Sequence, residues 1–148
     1  MDALYFMAVG RKILGVYSAL CAPVCKKHGI NGTCLDVLMF FHNYPEYNTA
    51  RDLCQVRGIK SGLASVAVDT LLQRGLLIRR DDTSDRRVIR LLITPVAADI
   101  IRDGIALQQR FEKAVGRGIS ARDSQALLRI MSRVQCNLTE LEKEKCKQ

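Results

Sequence analysis

The first part of the chain has apolar residues at helical spacing. Between residues 2 and 28 they recur mostly three or four positions apart, which predicts one long amphipathic helix. Pro23 should kink this helix or end its regular part, and Gly29 marks its stop. Because Arg11 and Lys12 interrupt the apolar stretch, we expect neither a run as long as a membrane span nor a secretory signal.

Two capping-box patterns follow and indicate shorter helices. Thr33 with Asp36 predicts the start of a second helix. Thr49 with Asp52 repeats the signature and predicts a third. The predicted helices run from Thr33 to before Pro45, over about 50–56, and from about 60 to 73. Three short helices joined by tight turns are the outline of a helix-turn-helix.

The hydrophobic period changes after Gly75. Residues 76–78 and 88–93 are short β-prone runs, and the polar segment 81–85 between them cannot be buried. This pattern predicts a β-hairpin with a solvated tip. A hairpin directly after the second helix of a helix-turn-helix is a wing.

Two further helices are predicted after the hairpin. Thr94 as N-cap and Pro95 at the first helical position start a helix that extends to about Val115. Ser120 with Asp123 caps a last helix, whose apolar residues alternate at spacings of four and three. This heptad-like seam consists of Leu127, Met131, Val134, Leu138 and Leu141.

The helices at 2–28 and 121–145 each have an apolar stripe that a small central module can cover only in part. An intramolecular bundle is one solution and an isologous dimer is the other. The dimer is favoured because twofold symmetry presents two recognition helices to successive major grooves. The predicted fold is therefore mainly α with a small β-hairpin wing. A winged helix-turn-helix module (33–94) lies between dimerisation helices in 1–32 and 95–148, in a single chain of 148 residues.

The net charge of +8 favours a polyanionic partner, although it also suits solubility alone. Between residues 49 and 93 there are nine Lys or Arg and five Asp, so this third of the chain has half of the excess. Aromatic residues make up only 5% and Trp is absent, which argues against a stacking platform for single-stranded nucleic acid.

The hairpin sequence resembles the wing of the MarR family of winged-helix regulators. That wing typically reads Gly-Leu, then Arg, an acidic turn, Asp-x-Arg, and a strand ending in Leu-x-Leu-Thr. The matching residues here are Gly75 and Leu76, Arg79, the acidic turn 81–85, Asp85-Arg86-Arg87, and Leu91 to Thr94. The resemblance implies a cytoplasmic homodimer that binds an operator in double-stranded DNA and regulates transcription, as a repressor.

The resemblance also implies roles for individual residues. It makes Arg87 the arginine that enters the minor groove and Asp85 its organiser, since a nearby carboxylate can hold a guanidinium in a bidentate pair. The other expected DNA contacts are Lys60, Ser61, Ser65, Arg79 and Arg86. Leu63 and Val66 are open to two interpretations, contact with thymine methyl groups or helix packing.

Members of this family often bind small aromatic effectors near the dimer interface, and others sense oxidants through cysteine. By that analogy Tyr17, Phe40, Phe41 and His42 are candidates for an effector pocket. Their alternative interpretation is a place in the core or the dimer interface. We expect no cofactor.

In a cytoplasmic protein the six cysteines stay reduced and do not form a disulfide framework. They are Cys21, Cys25, Cys34, Cys54, Cys136 and Cys146. Cys21, Cys25 and His28 share one face of a continuous helix, which leaves a metal site or a redox-sensing thiol open. Because there is no Cys-x-x-Cys pair and Pro23 interrupts the helix, we predict no metal.

Two other classes of protein compete with a DNA-binding regulator. A winged-helix module that binds protein has the same scaffold but does not need Arg86 and Arg87 at the tip. An enzyme is disfavoured because the sequence has no Gly-rich phosphate loop, no metalloprotease motif and only two histidines.

Overall fold

A computed structural model describes residues 2–145 of the protein. The helices are α1 (Ala3–His28), α2 (Gly32–Asn43), α3 (Ala50–Gln55), α4 (Ser61–Gln73), α5 (Ala98–Val115) and α6 (Ala121–Lys145). The strands are β1 (Leu77–Asp81) and β2 (Ile89–Ile93), which pair antiparallel. The prediction of a mainly α chain with a small β-hairpin is confirmed. The chain divides into two compact units, the first ending at Phe111 and the second beginning at Glu112.

The core of the first unit is formed by α2, α3, α4, the hairpin and the start of α5. Burying each large aliphatic side chain there contributes about 1.5–3 kcal/mol. The largest fully buried side chains are Leu38, Leu53, Leu71, Leu77, Val37 and Cys34. Because α4 and β1 both supply core residues, α4 and the hairpin are held against the same core.

Helix α1 continues through Pro23, so the alternative that Pro23 ends its regular part is wrong. Pro removes only one backbone hydrogen bond, and the helix continues on both sides to a left-handed C-cap at Gly29. The N-terminal part of α1 is exposed, whereas Cys21, Val24 and Cys25 pack against the core.

The expectation about membrane spans is also corrected. Among residues 2–145, one helix, α1, is long and apolar enough to cross a membrane by length and composition. Arg11 and Lys12 are too few charges to lower its mean hydropathy below that of a span. The buried core helix of a globular protein and a signal sequence near the N-terminus pass the same test.

The start of α2 differs from the prediction. Asn31 is the N-cap, and its side chain accepts a hydrogen bond from the amide of Cys34 at 2.8 Å, so Thr33 lies inside the helix. Asn31 caps the helix in place of Thr33 because the backbone of Asn31 is extended, as an N-cap requires, and directly follows the turn that ends α1. The capping box of α3 is confirmed, with Thr49 and Asp52 bonding to each other's backbone amides.

The hairpin is longer than predicted because Asp81 belongs to β1, opposite Ile89. Its tip is the segment 82–88. At its base Thr94 precedes a 3₁₀ helix, Pro95–Ala97, but its hydroxyl makes no cap. It donates instead to the carbonyl of Gly75 at 2.6 Å, which closes the base of the hairpin.

The second unit contains α6, whose predicted cap is confirmed: the amide of Asp123 donates to the Ser120 hydroxyl at 3.1 Å. The seam of α6 is uncovered in the single chain. Its leucines and Met131 are about half exposed, and Val134 is partly buried.

Candidate nucleic-acid interface

The N-terminal turn of α4 presents a polar, exposed surface. Lys60, Ser61 and Ser65 are all exposed, and Lys60 makes no side-chain cap, so the first amides of the helix are left free. Free amides at a helix N-terminus bind anions. The exposed fractions of Leu63 and Val66 are 54% and 62%, so more than half of each residue is left uncovered in the single chain.

The tip of the hairpin is organised by Asp82. One oxygen of its carboxylate, Oδ1, accepts hydrogen bonds from the Ser84 hydroxyl, the Ser84 amide at 2.9 Å and the Asp85 amide at 3.1 Å. The other, Oδ2, accepts from Nε of Arg90 at 2.7 Å. These bonds, led by that of the Ser84 hydroxyl, hold the pKa of Asp82 well below its ordinary value. The carboxylate therefore stays ionised at any physiological pH.

Arg86 and Arg87 are exposed at this tip. Asp85 was expected to hold the Arg87 guanidinium. Its carboxylate instead accepts the backbone amide of Arg87 at 2.9 Å, and no ion pair of Arg87 occurs among the described residues. The physical reason is the two-residue separation, which closes a local turn through the backbone. Asp85 thus fixes the backbone at Arg87 but does not bind its guanidinium.

Arg79 lies on β1 and contacts helix α4. Its guanidinium is 3.4 Å from the carboxylate of Asp69 on α4, and both side chains are about 60% exposed. An ion pair this long and this exposed contributes little to stability. Arg79 remains available to a phosphate, which would replace Asp69 as its partner.

Sequence reasoning missed the role of Arg90. Besides its bond to Asp82, Nη1 of Arg90 donates to the side-chain oxygen of Asn48 at 3.0 Å. The hairpin register places Arg80 opposite Arg90, so Asp82, two residues further along the chain, lies diagonally across from Arg90. The contribution of Asn48 had no such local signal, because it lies 42 positions away.

A family model described as MarR family matches residues 28–88, which include α2, α3, α4 and most of the hairpin. This segment contains the predicted DNA contacts from Lys60 to Arg87 but not Arg90. Over residues 28–88 the chain is similar to the MarR family.

Solved structures of MarR family proteins share the fold. A regulator from Silicibacter pomeroyi is 20% identical, with a TM-score of 0.77 over 90% of this chain and 89% of that one. The MepR–DNA complex of Staphylococcus aureus is 11% identical, with a TM-score of 0.74 over 93% and 96%. MarR of Staphylococcus aureus in complex with salicylate and kanamycin is 20% identical, with a TM-score of 0.72 over 93% of each chain. The predicted winged helix-turn-helix is confirmed.

The predicted effector residues fall into two places. Tyr17 lines a cavity of about 290 Å³ between α1 and α2, and with Phe40 it lines a neighbouring one of about 190 Å³. Phe41 and His42 line a separate cavity of about 260 Å³ beside β2. The structure therefore brings Tyr17 and Phe40 together and leaves Phe41 and His42 apart from them.

The two cavities at Tyr17 share a charged pair that the sequence did not indicate. Arg57 and Asp36 line both, and their side chains meet at 2.9 Å. Burial raises the pKa of the Tyr17 hydroxyl, which accepts a hydrogen bond from Gln108 at 3.4 Å. The cavities are therefore lined by a phenol and an ion pair as well as by apolar side chains.

The candidate thiols of α1 are poorly activated. Burial raises the pKa of both Cys21 and Cys25, which lowers the fraction of reactive thiolate. His28 does not join them, because its Nε2 lies 2.7 Å from the carboxylate of Asp103. Within residues 2–145 no cluster of three or more His, Cys, Asp or Glu side chains could hold a metal. Cys146 lies outside the described residues.

Proposed function

We propose that the protein is a homodimeric transcription regulator, a repressor, that binds an operator in double-stranded DNA. The observation that carries this proposal is the exposed hairpin tip, where Arg86 and Arg87 project while Asp82 and Asp85 are bonded within the tip itself. The MepR–DNA complex, a protein of the same fold, supports it. Family members are transcription factors, and we propose no catalytic activity.

In this proposal α4 enters the major groove and the tip enters the minor groove. Lys60, Ser61 and Ser65 bind phosphates and base edges from the helix N-terminus, and Arg79 binds a phosphate. Leu63 and Val66 contact thymine methyl groups. Arg87, with Arg86 beside it, reads the narrow minor groove, where the negative potential is strongest.

The dimer is formed by the end helices in 1–32 and 95–148. Apolar side chains on α1 and on the seam of α6 are exposed in the single chain, and a second copy would bury them. Twofold symmetry then places two copies of α4 about one DNA turn apart, roughly 34 Å.

A small aromatic effector releases the DNA in this proposal. Tyr17 and Arg57 supply its hydroxyl and carboxylate partners, and the salicylate complex of Staphylococcus aureus MarR supports an aromatic acid as the class. Release through oxidation of Cys21 or Cys25 is the second route, which the raised pKa of each thiol disfavours. The proposed location is the cytoplasm.

Selection from random duplex DNA tests the DNA-binding proposal. We expect recovery of a sequence with two related half-sites, bound with an affinity that falls steeply with salt. A protein-binding winged helix, the alternative function, would recover no duplex even at low salt. Repetition with salicylate and with an oxidant distinguishes the two release routes.

Arg87→Ala tests the proposed minor-groove contact. We expect affinity for the recovered duplex to fall about ten- to a hundredfold, because one guanidinium is lost from the groove. Arg102→Ala is the control, since it removes the same charge from an exposed position on α5 where Arg102 pairs with Asp99. Equal loss in both variants would contradict a specific role for Arg87.

A further inference from the structure

We propose that Arg90 and Asn48 are positioning residues that hold the wing tip against the α2–α3 connection, and that Arg90 does not itself contact DNA. This inference rests on the proposed function, since the positioned group is Arg87. It gives Arg90 a role different from that of Arg79, Arg86 and Arg87, which are proposed to contact DNA.

Two donor groups of Arg90 are already bonded within the protein. Nε donates to Asp82 at 2.7 Å and Nη1 donates to Asn48 at 3.0 Å. Its side chain is 35% exposed and that of Asp82 is only 13% exposed, whereas the Arg79–Asp69 pair is about 60% exposed on both sides. Two of the five N–H donors of Arg90 are already used by these partners. Because the Asp82 carboxylate already balances its charge, a phosphate would gain less from Arg90 than from an arginine without an ion pair.

The hydrogen bonds from Asp82 through Arg90 to Asn48 form a bridge, and this bridge is anchored to the backbone at both ends. At the tip, Asp82 accepts the amides of Ser84 and Asp85, so it fixes the turn that leads to Arg87. At the other end, Asn48 donates from its side chain to the carbonyl of Pro45 at 3.2 Å, and its own carbonyl accepts the amide of Leu91 at 2.7 Å.

The bridge also reaches the helix-turn-helix. Asn48 directly precedes Thr49, the N-cap of α3, whose capping box fixes the start of that helix. The path from Arg87 through Asp82, Arg90 and Asn48 therefore connects the tip to α3. Holding the tip in place before binding saves the entropy that a loose loop would lose on entering the groove.

A double-mutant cycle tests the positioning role, using the duplex recovered by selection. We expect Arg90→Met to weaken binding about tenfold when Arg87 is present, because an unanchored tip must be ordered on binding. In the Arg87→Ala background the same change should cost almost nothing, since no guanidinium remains to be positioned. Loss of general stability would reduce affinity in both backgrounds alike.

The salt dependence gives a second measure. Arg87→Ala should lower the slope of log affinity against log salt by about one, and Arg90→Met should leave it unchanged. The matched control is Arg80→Met, which removes the same charge from the exposed residue directly opposite Arg90 in the hairpin. Equal losses from Arg90→Met in both backgrounds, or a slope lowered by about one, would overturn the inference.

Amide hydrogen exchange in the free protein tests the bridge without DNA. We expect faster exchange at Ser84 and Asp85 in Arg90→Met and in Asn48→Ala, and no change in Arg80→Met. Arg90→Lys should give intermediate protection because one ammonium cannot span both partners. Unchanged exchange in both bridge variants would overturn the inference. If the parent bound no duplex, the proposed function would fail, whereas the exchange results would still decide whether Arg90 orders the tip.

Discussion

At the scale of single residues, one carboxylate connects two helices at the end of α1. Oδ2 of Asp103 on α5 lies 2.6 Å from Nζ of Lys27 and 2.7 Å from Nε2 of His28. These hydrogen bonds, that of Lys27 first, lower the pKa of Asp103 from 3.8 to about 2. The carboxylate binds its proton less readily in the folded chain than in the unfolded one.

The pH dependence of stability should reflect this shift. Because the folded pKa is depressed, the contribution of Asp103 is complete above its ordinary pKa of 3.8 and is lost as pH falls towards about 2. We expect the free energy of unfolding in urea to fall less steeply over that range in Asp103→Asn than in the parent. Asp99→Asn, at an exposed residue of the same helix, is the control and should keep the parent's slope.

At the scale of elements, the junction of α4 and the wing depends on backbone conformation. Gly75 has φ of 66°, in the left-handed region, and a Cβ built there meets nothing within 4 Å. The carbonyl of Gly75 also accepts the Thr94 hydroxyl that closes the hairpin. The backbone at Gly75 therefore sets the direction in which the wing leaves the recognition helix.

Gly75→Ala should lower the free energy of unfolding by about 1–2 kcal/mol, the cost of a left-handed conformation for a residue with a Cβ. Gly62→Ala provides the comparison, because it lies inside α4 with the same open space but without a positive φ. We expect Gly62→Ala to leave stability unchanged or raise it. Urea unfolding of both variants measures the difference, and equal losses would show that the conformation at Gly75 is not the cause.

The sequence predicted most elements because their ends have local signals. Gly29, Gly75 and the capping box at Thr49 act within a few residues, so their patterns can be seen without the fold. The start of α2 was misplaced because two capping residues, Asn31 and Thr33, lie within one turn of each other. Only the backbone conformation selects between them.

The candidate sites were less predictable than the elements. The residue types at the wing followed from the motif, but the partners of Asp82 and Asp85 depend on the shape of the tip. The cavity at Tyr17 depends on Arg57, which tertiary packing brings from a distant part of the sequence. The pattern of residues along one sequence does not show which distant residues meet in the fold.

At the scale of the whole molecule, the end helices have more apolar surface than a single chain covers. On α1, the exposed fractions of Leu4, Tyr5 and Leu14 are 82%, 70% and 69%. On α6 the seam is about half exposed. Exposed apolar surfaces of this kind can mark a protein interface, and the proposed homodimer would bury them.

Light scattering should show a dimer at micromolar concentration, and Leu138→Glu should shift it to monomer because a carboxylate would be buried in the seam. Gln135→Glu introduces the same charge at an exposed residue of α6 outside the seam, and should leave the dimer intact. A parent that is monomeric at this concentration would contradict the shared-helix dimer.

The exposed face of α1 has a consequence for synthesis of the protein in the cell. About seventy residues separate the end of α1 from the start of α5, which a ribosome adds in roughly 4–14 seconds. During that interval the apolar face of α1 is exposed to water on the nascent chain. If the protein forms the proposed dimer, this face remains exposed until a second complete chain binds it. Rapid overproduction should therefore favour aggregation of unfinished chains, and slower translation at low temperature should raise the soluble yield.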